Sequence, residues 1–305
     1  MKIQIPVPLI ELSKDIRFSR LAYGVWRLSE ATDSSPKAVL ERIHACLDQG
    51  VTTFDHADIY GDYRCETLFG DALRLDPTLK KRMQIVTKTD IMLLSKHWPS
   101  TRVKHYDTSP QHVLASVDRS LKRIGVDVID ALLIHRPDPL MDAHALGACL
   151  DQLIDSGKIR SAGVSNFMPW DVDLLQSTMR HTLLINQIEL SLMHTDPLTN
   201  GQMAHAQQHQ QALMAWSPLG GGRLFGQEDC AKRLRPALDA LAKTASTDTT
   251  AVAIAWLLHH PANVIPVLGT NDLHRIKQMH AAFQVPMDRQ TWFELYTLAI
   301  GNDVP

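Results

Sequence analysis

Eight short apolar runs, rich in β-branched residues, recur along the 305-residue chain, and longer segments with helical periodicity separate most of them. Such alternation is typical of parallel strands joined by right-handed crossovers. Eight strands favour a closed barrel over an open sheet, which would also need a glycine-rich turn after its first strand. We therefore predict an α/β fold, a (β/α)₈ TIM barrel. The runs are Leu21–Val25, Val51–Phe54, Met83–Thr87, Val128–Ile134, Ile159–Val164, Leu183–Asn186, Ala212–Trp216 and Val264–Leu268.

The predicted helices lie between and after these runs. In the predicted helix Pro36–Gln49, proline stands at the start and Gly50 follows the end, which is the asymmetry expected of helix termini. The first residues, about 20, alternate apolar and polar and predict a hairpin that closes one barrel end. We expect one domain spanning 1–305, with extra helices. The predicted helices are Pro36–Gln49, Ser109–Ile124, Ala143–Asp155, Pro169–Met179, Asn200–Gln210, Arg235–Ala245, Thr250–His260, Asp272–Ala281 and Asp288–Ile300.

Composition excludes several classes of protein. Lys and Arg number 31 against 33 Asp and Glu, so there is no basic excess for nucleic acid or an anionic membrane. The longest apolar run, Ala251–Leu258, is too short to span a bilayer, and Met1–Lys14 lacks a secretory pattern. The four cysteines include no C-x-x-C pair. We expect a soluble cytoplasmic protein, a monomer or weak oligomer, whose partner is a small molecule.

Titratable side chains directly follow three neighbouring strands. Asp55, Lys88 and His135 follow the second, third and fourth runs, and Tyr60 lies five residues beyond Asp55. In a barrel of this kind the carboxyl ends of the strands meet at the rim that carries catalytic groups. A lysine ammonium lowers the pKa of a nearby tyrosine, an aspartate holds that lysine charged, and a histidine can donate to a substrate oxygen.

This set predicts an electrophilic pocket for a carbonyl oxygen. No side chain supplies a hydride, so a nicotinamide cofactor is implied. Each residue also has a structural interpretation: Asp55 as a helix N-cap, Lys88 as its ion-pair partner, Tyr60 as packing, and His135 as a backbone donor. Their joint position on one rim favours catalysis.

A series of motifs runs in order along the chain. The longest are Gly50–Gly61, Ser120–Asp127, Leu132–Asp138, Gly157–Phe167 and Trp216–Gly222, with Val86–Lys88 and Asn186–Gln187 between them. From about Leu21 to the C-terminus, the chain thereby resembles the aldo/keto reductase superfamily. The stretch Arg136–Asp142 and the Asp303–Pro305 ending resemble a bacterial branch of general oxidoreductases.

The resemblance implies NADP(H)-dependent reduction of aldehydes or ketones, with Asp55, Tyr60, Lys88 and His135 as the catalytic set. Hydride would pass from the nicotinamide to the carbonyl carbon, and Tyr60 would protonate the oxygen.

The resemblance also implies a cofactor site along the rim. Ser165, Asn166 and Gln187 would hold the carboxamide, Trp216 would stack on the nicotinamide, and the glycines of Gly220–Gly222 would approach the pyrophosphate. The segment from Leu268 to Gln278 would grip the adenosine 2′-phosphate, through Thr270 and through an arginine fork. Because Gly269 replaces a lysine common in the family, one phosphate contact is lost, and NADP(H) is still favoured over NAD(H). The cofactor residues are Gly24, Val25, Trp26, Asp55, Ser165, Asn166, Gln187, Trp216, Ser217, Leu219, Gly220, Gly222, Arg223, Leu268, Gly269, Thr270, Arg275 and Gln278.

Two other functions remain open. One is a cofactor-binding regulatory subunit with little turnover, and the other is a barrel lyase in which Lys88 forms a Schiff base. The long loop Thr89–Thr108 has two interpretations: a substrate-facing flap, with Trp26 and Trp98 as apolar walls, or an irregular surface loop, which is favoured for its individual residues. His205 and His209 have a spacing that suits a metal, but because the sequence shows no third ligand we expect no metal site.

Overall fold

Eight parallel strands close into a barrel in the computed structural model, which describes residues 6–305. Each predicted run overlaps one barrel strand, so the predicted fold is confirmed. The strands are β1 (Leu9–Ser13), β2 (Ile16–Ser19), β3 (Ala22–Gly24), β4 (Thr53–Asp55), β5 (Gln84–Thr89), β6 (Ile91–Met92), β7 (His105–Tyr106), β8 (Ala131–Ile134), β9 (Ala162–Ser165), β10 (Leu183–Glu189), β11 (Ala212–Trp216) and β12 (Ile265–Leu268). Around the barrel, hydrogen bonding links β3, β4, β5, β8, β9, β10, β11 and β12 in that order and returns to β3.

The helices pack outside the barrel, and several begin at a capping side chain. Ser109 and Asp142 accept hydrogen bonds from the backbone amides of His112 and Ala145, which satisfies donors left free in a first turn. The helices are α1 (Pro36–Leu47), α2 (Tyr60–Tyr63), α3 (Cys65–Leu75), α4 (Pro110–Ile124), α5 (Ala143–Asp155), α6 (Pro169–Gln176), α7 (Gln202–Gln208), α8 (Asp229–Thr244), α9 (Thr249–Leu258), α10 (Leu273–Ile276) and α11 (Arg289–Ile300), and 3₁₀ turns span Leu28–Glu30, Pro77–Arg82, Asp196–Leu198, Gly220–Phe225 and Met279–Gln284.

Three helix predictions need correction. Helix α3 was not among the predicted helices; it has no capping side chain at its start and carries Gly70 in its middle. Helix α8 begins at Asp229, six residues before the predicted start. Pro236 was expected near the start of the helix but lies in its interior, at an exposed position where the helix continues past it. The predicted helix Asp272–Ala281 is instead the short α10 followed by a separate 3₁₀ turn.

The predicted hairpin is β1 paired antiparallel with β2; residues 1–5 of the predicted segment lie outside the described residues. Its Phe18 is fully buried and belongs, with Ile16, to a cluster that includes Val86, Met214 and Ile265 from barrel strands. The hairpin therefore fills the barrel interior at the end where the strands begin, as predicted. Among residues 6–305, no helix is both long and apolar enough to cross a membrane.

Gly70 on α3 lies directly against the end of α4. A Cβ atom there would overlap the carbonyl oxygen of Arg123 and lie 2.9 Å from that of Ile124. Both obstacles are backbone atoms at the end of α4, so they cannot move aside as a side chain would.

We expect Gly70→Ala to lower the free energy of unfolding by about 1–3 kcal/mol, because steric overlap outweighs the gain in helix propensity of about 1 kcal/mol. Urea unfolding monitored by circular dichroism measures the change. Ala115→Gly, at an exposed position of α4, is the control for propensity alone. A Gly70→Ala protein more stable than the original would show that the two helices are not in this close contact.

Candidate active site

Lys88 lies at the centre of a buried polar group at the carboxyl end of the barrel. Its Nζ atom is 2.7 and 2.9 Å from the carboxylate oxygens of Asp55, 2.8 Å from the carbonyl oxygen of His56 and 3.1 Å from Tyr60 Oη. Asp55 ends β4, and Lys88 lies on the adjacent β5. Both side chains are almost wholly inaccessible to solvent. The structure thus brings together three of the four residues that the sequence predicted as catalytic.

The charge state of this group follows from its contacts. Burial lowers the pKa of Lys88, but the Asp55 carboxylate and Tyr60 more than compensate, so its pKa is raised overall. The ammonium is therefore retained inside the protein. Burial raises the pKa of Tyr60 and the Lys88 ammonium opposes that effect without overcoming it. The net lowering of the Tyr60 pKa that we expected from the lysine alone is wrong, because the sequence does not reveal how deeply the phenol is desolvated.

His135, the fourth predicted residue, follows β8 and its backbone amide donates to the carbonyl oxygen of Thr89 at 2.9 Å. Its ring lies edge-on to that of Tyr60, with 6.0 Å between the centroids. Burial, together with the charges of Lys88 and Arg136, holds the pKa of His135 well below its usual range. The imidazole is thus neutral, and its buried Nδ1 has no hydrogen-bond partner.

A left-handed turn orients Tyr60. Gly61, Asp62 and Tyr63, which lie within the short α2, all have positive φ, so the chain makes a left-handed turn there before α3 begins. A Cβ at Gly61 would collide with Ser29 and lie 2.7 Å from Cys65 Sγ. Glycine is thus required at this position on two grounds, backbone conformation and space, and the turn places the Tyr60 hydroxyl against Lys88.

The residues predicted to hold a carboxamide form a second connected group at the ends of β9, β10 and β11. Gln187 Nε2 donates to Asp55 Oδ1 at 2.8 Å, which joins this group to the lysine. Asn166 Nδ2 donates to Ser165 Oγ and to the carbonyl oxygen of His135, while its Oδ1 accepts from Trp216 Nε1 at 2.9 Å. The indole ring of Trp216 is therefore fixed in orientation beside the catalytic group.

The predicted pyrophosphate segment follows β11. Ser217 has φ 49°, and the three glycines that follow Leu219 all have positive φ, with open space around Gly222. Arg223 lies next to them, with its guanidinium 3.8 Å from Glu189 and 3.5 Å from Glu228. The amides of Gly220 and Gly222 donate to the carbonyl oxygens of Ser217 and Leu219, so the feature that suits an anion is the open space around Gly222, next to Arg223.

The predicted 2′-phosphate segment follows β12, next to the end of β3. Leu268 pairs with Tyr23, so Gly269 and Thr270 lie beside Gly24, Val25 and Trp26. Arg275 and Gln278 are exposed, on and after α10 respectively. The predicted cofactor residues therefore lie along one rim, which runs from β9 through β12 to β3.

This rim fits a nicotinamide dinucleotide. It presents amide and hydroxyl groups beside Lys88, a fixed indole next to them, then a glycine run open to an anion, and finally an exposed arginine. The order matches the polar amide, flat ring and phosphates of such a cofactor.

Several positioning residues were missed in the sequence. Arg42 Nε on α1 donates to the carbonyl oxygen of Asn271, and Asn271 Nδ2 donates to that of Arg27, so α1 and the β3 loop anchor the β12 loop. Asp90, with φ 111°, accepts from the backbone amide of Arg136 next to His135. A polar residue after a strand end was the available signal for Asp90, whereas nothing local marked Arg42.

The predicted flap contains the antiparallel pair β6–β7 and borders a cavity of about 440 Å³. Trp26 is about half exposed at the rim. Trp98 packs against Tyr63 and beneath the guanidinium of Arg119, which ties the loop to α4. Met92, Val103 and His105 are among the residues that line the cavity.

A sequence model of the aldo/keto reductase family matches residues 20–299, so the chain belongs to that family. Membership supports the reduction of carbonyl groups as its chemistry.

Two bacterial relatives match nearly the whole chain. A protein of Agrobacterium fabrum named 6-dehydroglucose reductase is 52% identical, over 97% of this chain and 99% of the relative. An oxidoreductase of Bacillus subtilis, YcsN, is 42% identical, again over 97% of this chain and 99% of the relative. The solved structure of a glycerol dehydrogenase from Gluconobacter oxydans has the same fold, with a TM-score of 0.84 at 22% identity, over 99% of this chain and 98% of that one.

Glu66 on α3 makes a buried hydrogen bond to β5, the strand that carries Lys88. Its Oε1 accepts from Thr87 Oγ1 at 2.8 Å, directly before Lys88, and its Oε2 is 3.7 Å from Arg123. Burial, reinforced by the nearby Asp58 carboxyl, raises the pKa of Glu66 from 4.5 to about 7. The carboxyl is therefore half protonated near neutral pH.

We expect Glu66→Gln to gain stability relative to the original protein as the pH rises. The folded carboxyl binds its proton more tightly than the unfolded one does. Its contribution to the free energy of unfolding is therefore full below about pH 4.5 and declines until about pH 7. The difference in unfolding free energy between the two proteins should shift by up to about 3 kcal/mol between pH 4.5 and pH 8. Urea unfolding at both pH values measures it. Glu294→Gln, at an exposed position, should show no such shift; an equal response of the two variants would contradict the buried, protonated state.

Proposed function

We propose that this protein reduces aldehydes or ketones to alcohols with NADP(H), and that Tyr60 is the general acid. The observation that carries the proposal is the contact of the Lys88 ammonium with Tyr60 Oη at 3.1 Å, in a group held by Asp55 at the carboxyl rim. In this proposal one domain, 1–305, acts on a small carbonyl compound.

A bound nicotinamide dinucleotide supplies the hydride that reduces the carbonyl carbon. Tyr60 Oη gives its proton to the carbonyl oxygen, which would otherwise become an alkoxide. The phenolate left behind is stabilised by the Lys88 ammonium, which Asp55 keeps charged. Since burial keeps the Tyr60 pKa high, the phenol holds its proton until the substrate oxygen gains charge.

His135 positions the carbonyl in this mechanism. Its imidazole is neutral, so it has one N–H to donate to the substrate oxygen and does not compete with Tyr60 as an acid. Lys104 and Arg136 contribute positive charge near its ring. These groups, together with the neighbouring polar rim, favour a substrate that carries hydroxyl groups.

We further propose that the substrate is a hexose with an aldehyde at C6. The support is the Agrobacterium relative named 6-dehydroglucose reductase, which is 52% identical over almost the full length of both chains. The reaction consumes one NADPH and one proton for each aldehyde reduced to a primary alcohol.

We expect Tyr60→Phe to lower kcat by about 10²–10⁴-fold, because general acid catalysis typically contributes that factor. The decrease in NADPH absorbance with 6-dehydroglucose, and with an activated aromatic aldehyde, measures the rate. Binding of NADPH, followed by fluorescence titration, should be unchanged. Tyr296→Phe on α11, distant in sequence from the rim, is the matched control.

Three outcomes would contradict parts of this proposal. Undiminished turnover in Tyr60→Phe would exclude the acid, and absence of turnover in the original protein despite tight NADPH binding would favour a regulatory subunit. Trapping of substrate on Lys88 by borohydride would instead indicate Schiff-base chemistry.

We expect Arg275→Ala to raise the KM for NADPH by about tenfold or more and to leave the KM for NADH nearly unchanged. The reason is that a guanidinium contact to the 2′-phosphate is charge-assisted, and NADH has no such phosphate. Initial rates with both cofactors measure the effect. Arg289→Ala, an exposed arginine on α11, serves as the control, and an equal rise for both cofactors would place Arg275 outside the 2′-phosphate site.

A further inference from the structure

Two helices outside the barrel bring together Asp173, His205 and His209. Asp173 lies on α6, His205 on α7 and His209 directly after it. His205 Nε2 is 2.8 Å from Asp173 Oδ1, and His209 Nε2 is 4.0 Å from the same oxygen. The two imidazole rings are 4.3 Å apart between centroids.

The structure supplies the third ligand that the sequence analysis did not find. Asp173 is 32 residues before His205, so only the packing of α6 beside α7 shows the relation. The reason we gave for expecting no metal site is therefore wrong.

We propose that Asp173, His205 and His209 bind a divalent transition-metal ion of the Zn²⁺ type. One potential ligand atom from each residue lies within 4.8 Å of the others. Bonds of about 2.0–2.2 Å from a central ion to nitrogen and oxygen place ligand atoms about 3–4 Å apart, so small side-chain rotations close the site. Two imidazoles and one carboxylate suit Zn²⁺ and its neighbours, whereas Mg²⁺ and Ca²⁺ prefer oxygen ligands.

The burial of the three side chains supports this assignment. The His205 side chain is only 10% exposed and is held by its contact with Asp173, whereas those of Asp173 and His209 are 60% and 48% exposed. The His205 side chain is therefore already held in position, whereas the exposed side chains of Asp173 and His209 can rotate to reach an ion. The cluster borders a cavity of about 250 Å³ whose other lining residues include Gln176, Thr182 and Gln211. This space leaves the fourth coordination position available to water.

An ion at this site connects two helices of the barrel wall. Helix α6 follows β9 and helix α7 precedes β11, the strands that carry Ser165 and Trp216. An ion that binds the folded chain and not the unfolded one stabilises the fold by mass action. The site is separate from the catalytic group, so we assign it a role in stability.

Titration of the full chain, stripped with EDTA and dialysed, tests the proposal with ZnCl₂ as the probe. Calorimetry should show one Zn²⁺ per chain at this site, and Zn²⁺ should raise the melting temperature. His209→Ala and Asp173→Asn should each weaken binding by at least about tenfold and abolish the thermal shift. MgCl₂ at the same concentrations should have no effect.

His144→Ala, at an exposed histidine on α5, is the matched control and should bind Zn²⁺ as the original protein does. Circular dichroism of each metal-free variant checks that it is folded; Asp173→Asn retains an oxygen acceptor for His205 and is the milder change. Absence of one-to-one Zn²⁺ binding in the original protein would overturn the proposal. So would Zn²⁺ binding in His209→Ala and Asp173→Asn that is as tight as in the original protein. Both results are independent of reductase activity.

Discussion

The buried contact between Lys88 and Asp55 is the interaction on which the rest of the site depends. An ammonium removed from water is tolerated only when nearby oxygens replace its hydration. Here the Asp55 carboxylate, the His56 carbonyl and the Tyr60 hydroxyl do so. Because Gln187 also donates to Asp55, the same carboxylate joins the catalytic group to the amides of the neighbouring strands. A single ion pair thus determines the charge of the lysine, the position of the phenol and the link to the polar residues at the ends of β9 and β10.

The catalytic strand is supported by further buried acids. Asp58 accepts from Thr89 and Ser116, and Glu66 accepts from Thr87. Burial raises the pKa of both carboxyls, and these hydrogen bonds hold β5 against α3 and α4. The polar residues behind the strand therefore fix the backbone from which Lys88 projects. Precise placement of a catalytic side chain commonly depends on such contacts with its supporting shell.

Much of this arrangement was predictable because strand ends are visible in the sequence. Asp55, Lys88 and His135 each follow an apolar run, and the parallel topology brings those ends together. The helix α3 was not predictable in this way, since Arg64 provides no capping side chain and Gly70 weakens the local signal. The raised pKa of Tyr60 depends on desolvation, and the approach of α6 to α7 depends on tertiary packing. Neither is encoded in a local pattern.

The hairpin at the base of the barrel limits the routes by which small molecules can reach Lys88. Phe18 and Ile16 occupy the interior where the strands begin, so among residues 6–305 no passage runs through the barrel axis from that side. A compound that reaches Lys88 then enters and leaves through the opening at the opposite end. If the proposed reaction takes place there, reactant, product and dinucleotide share one entrance, and a molecule that occupies its rim obstructs the exchange of all three.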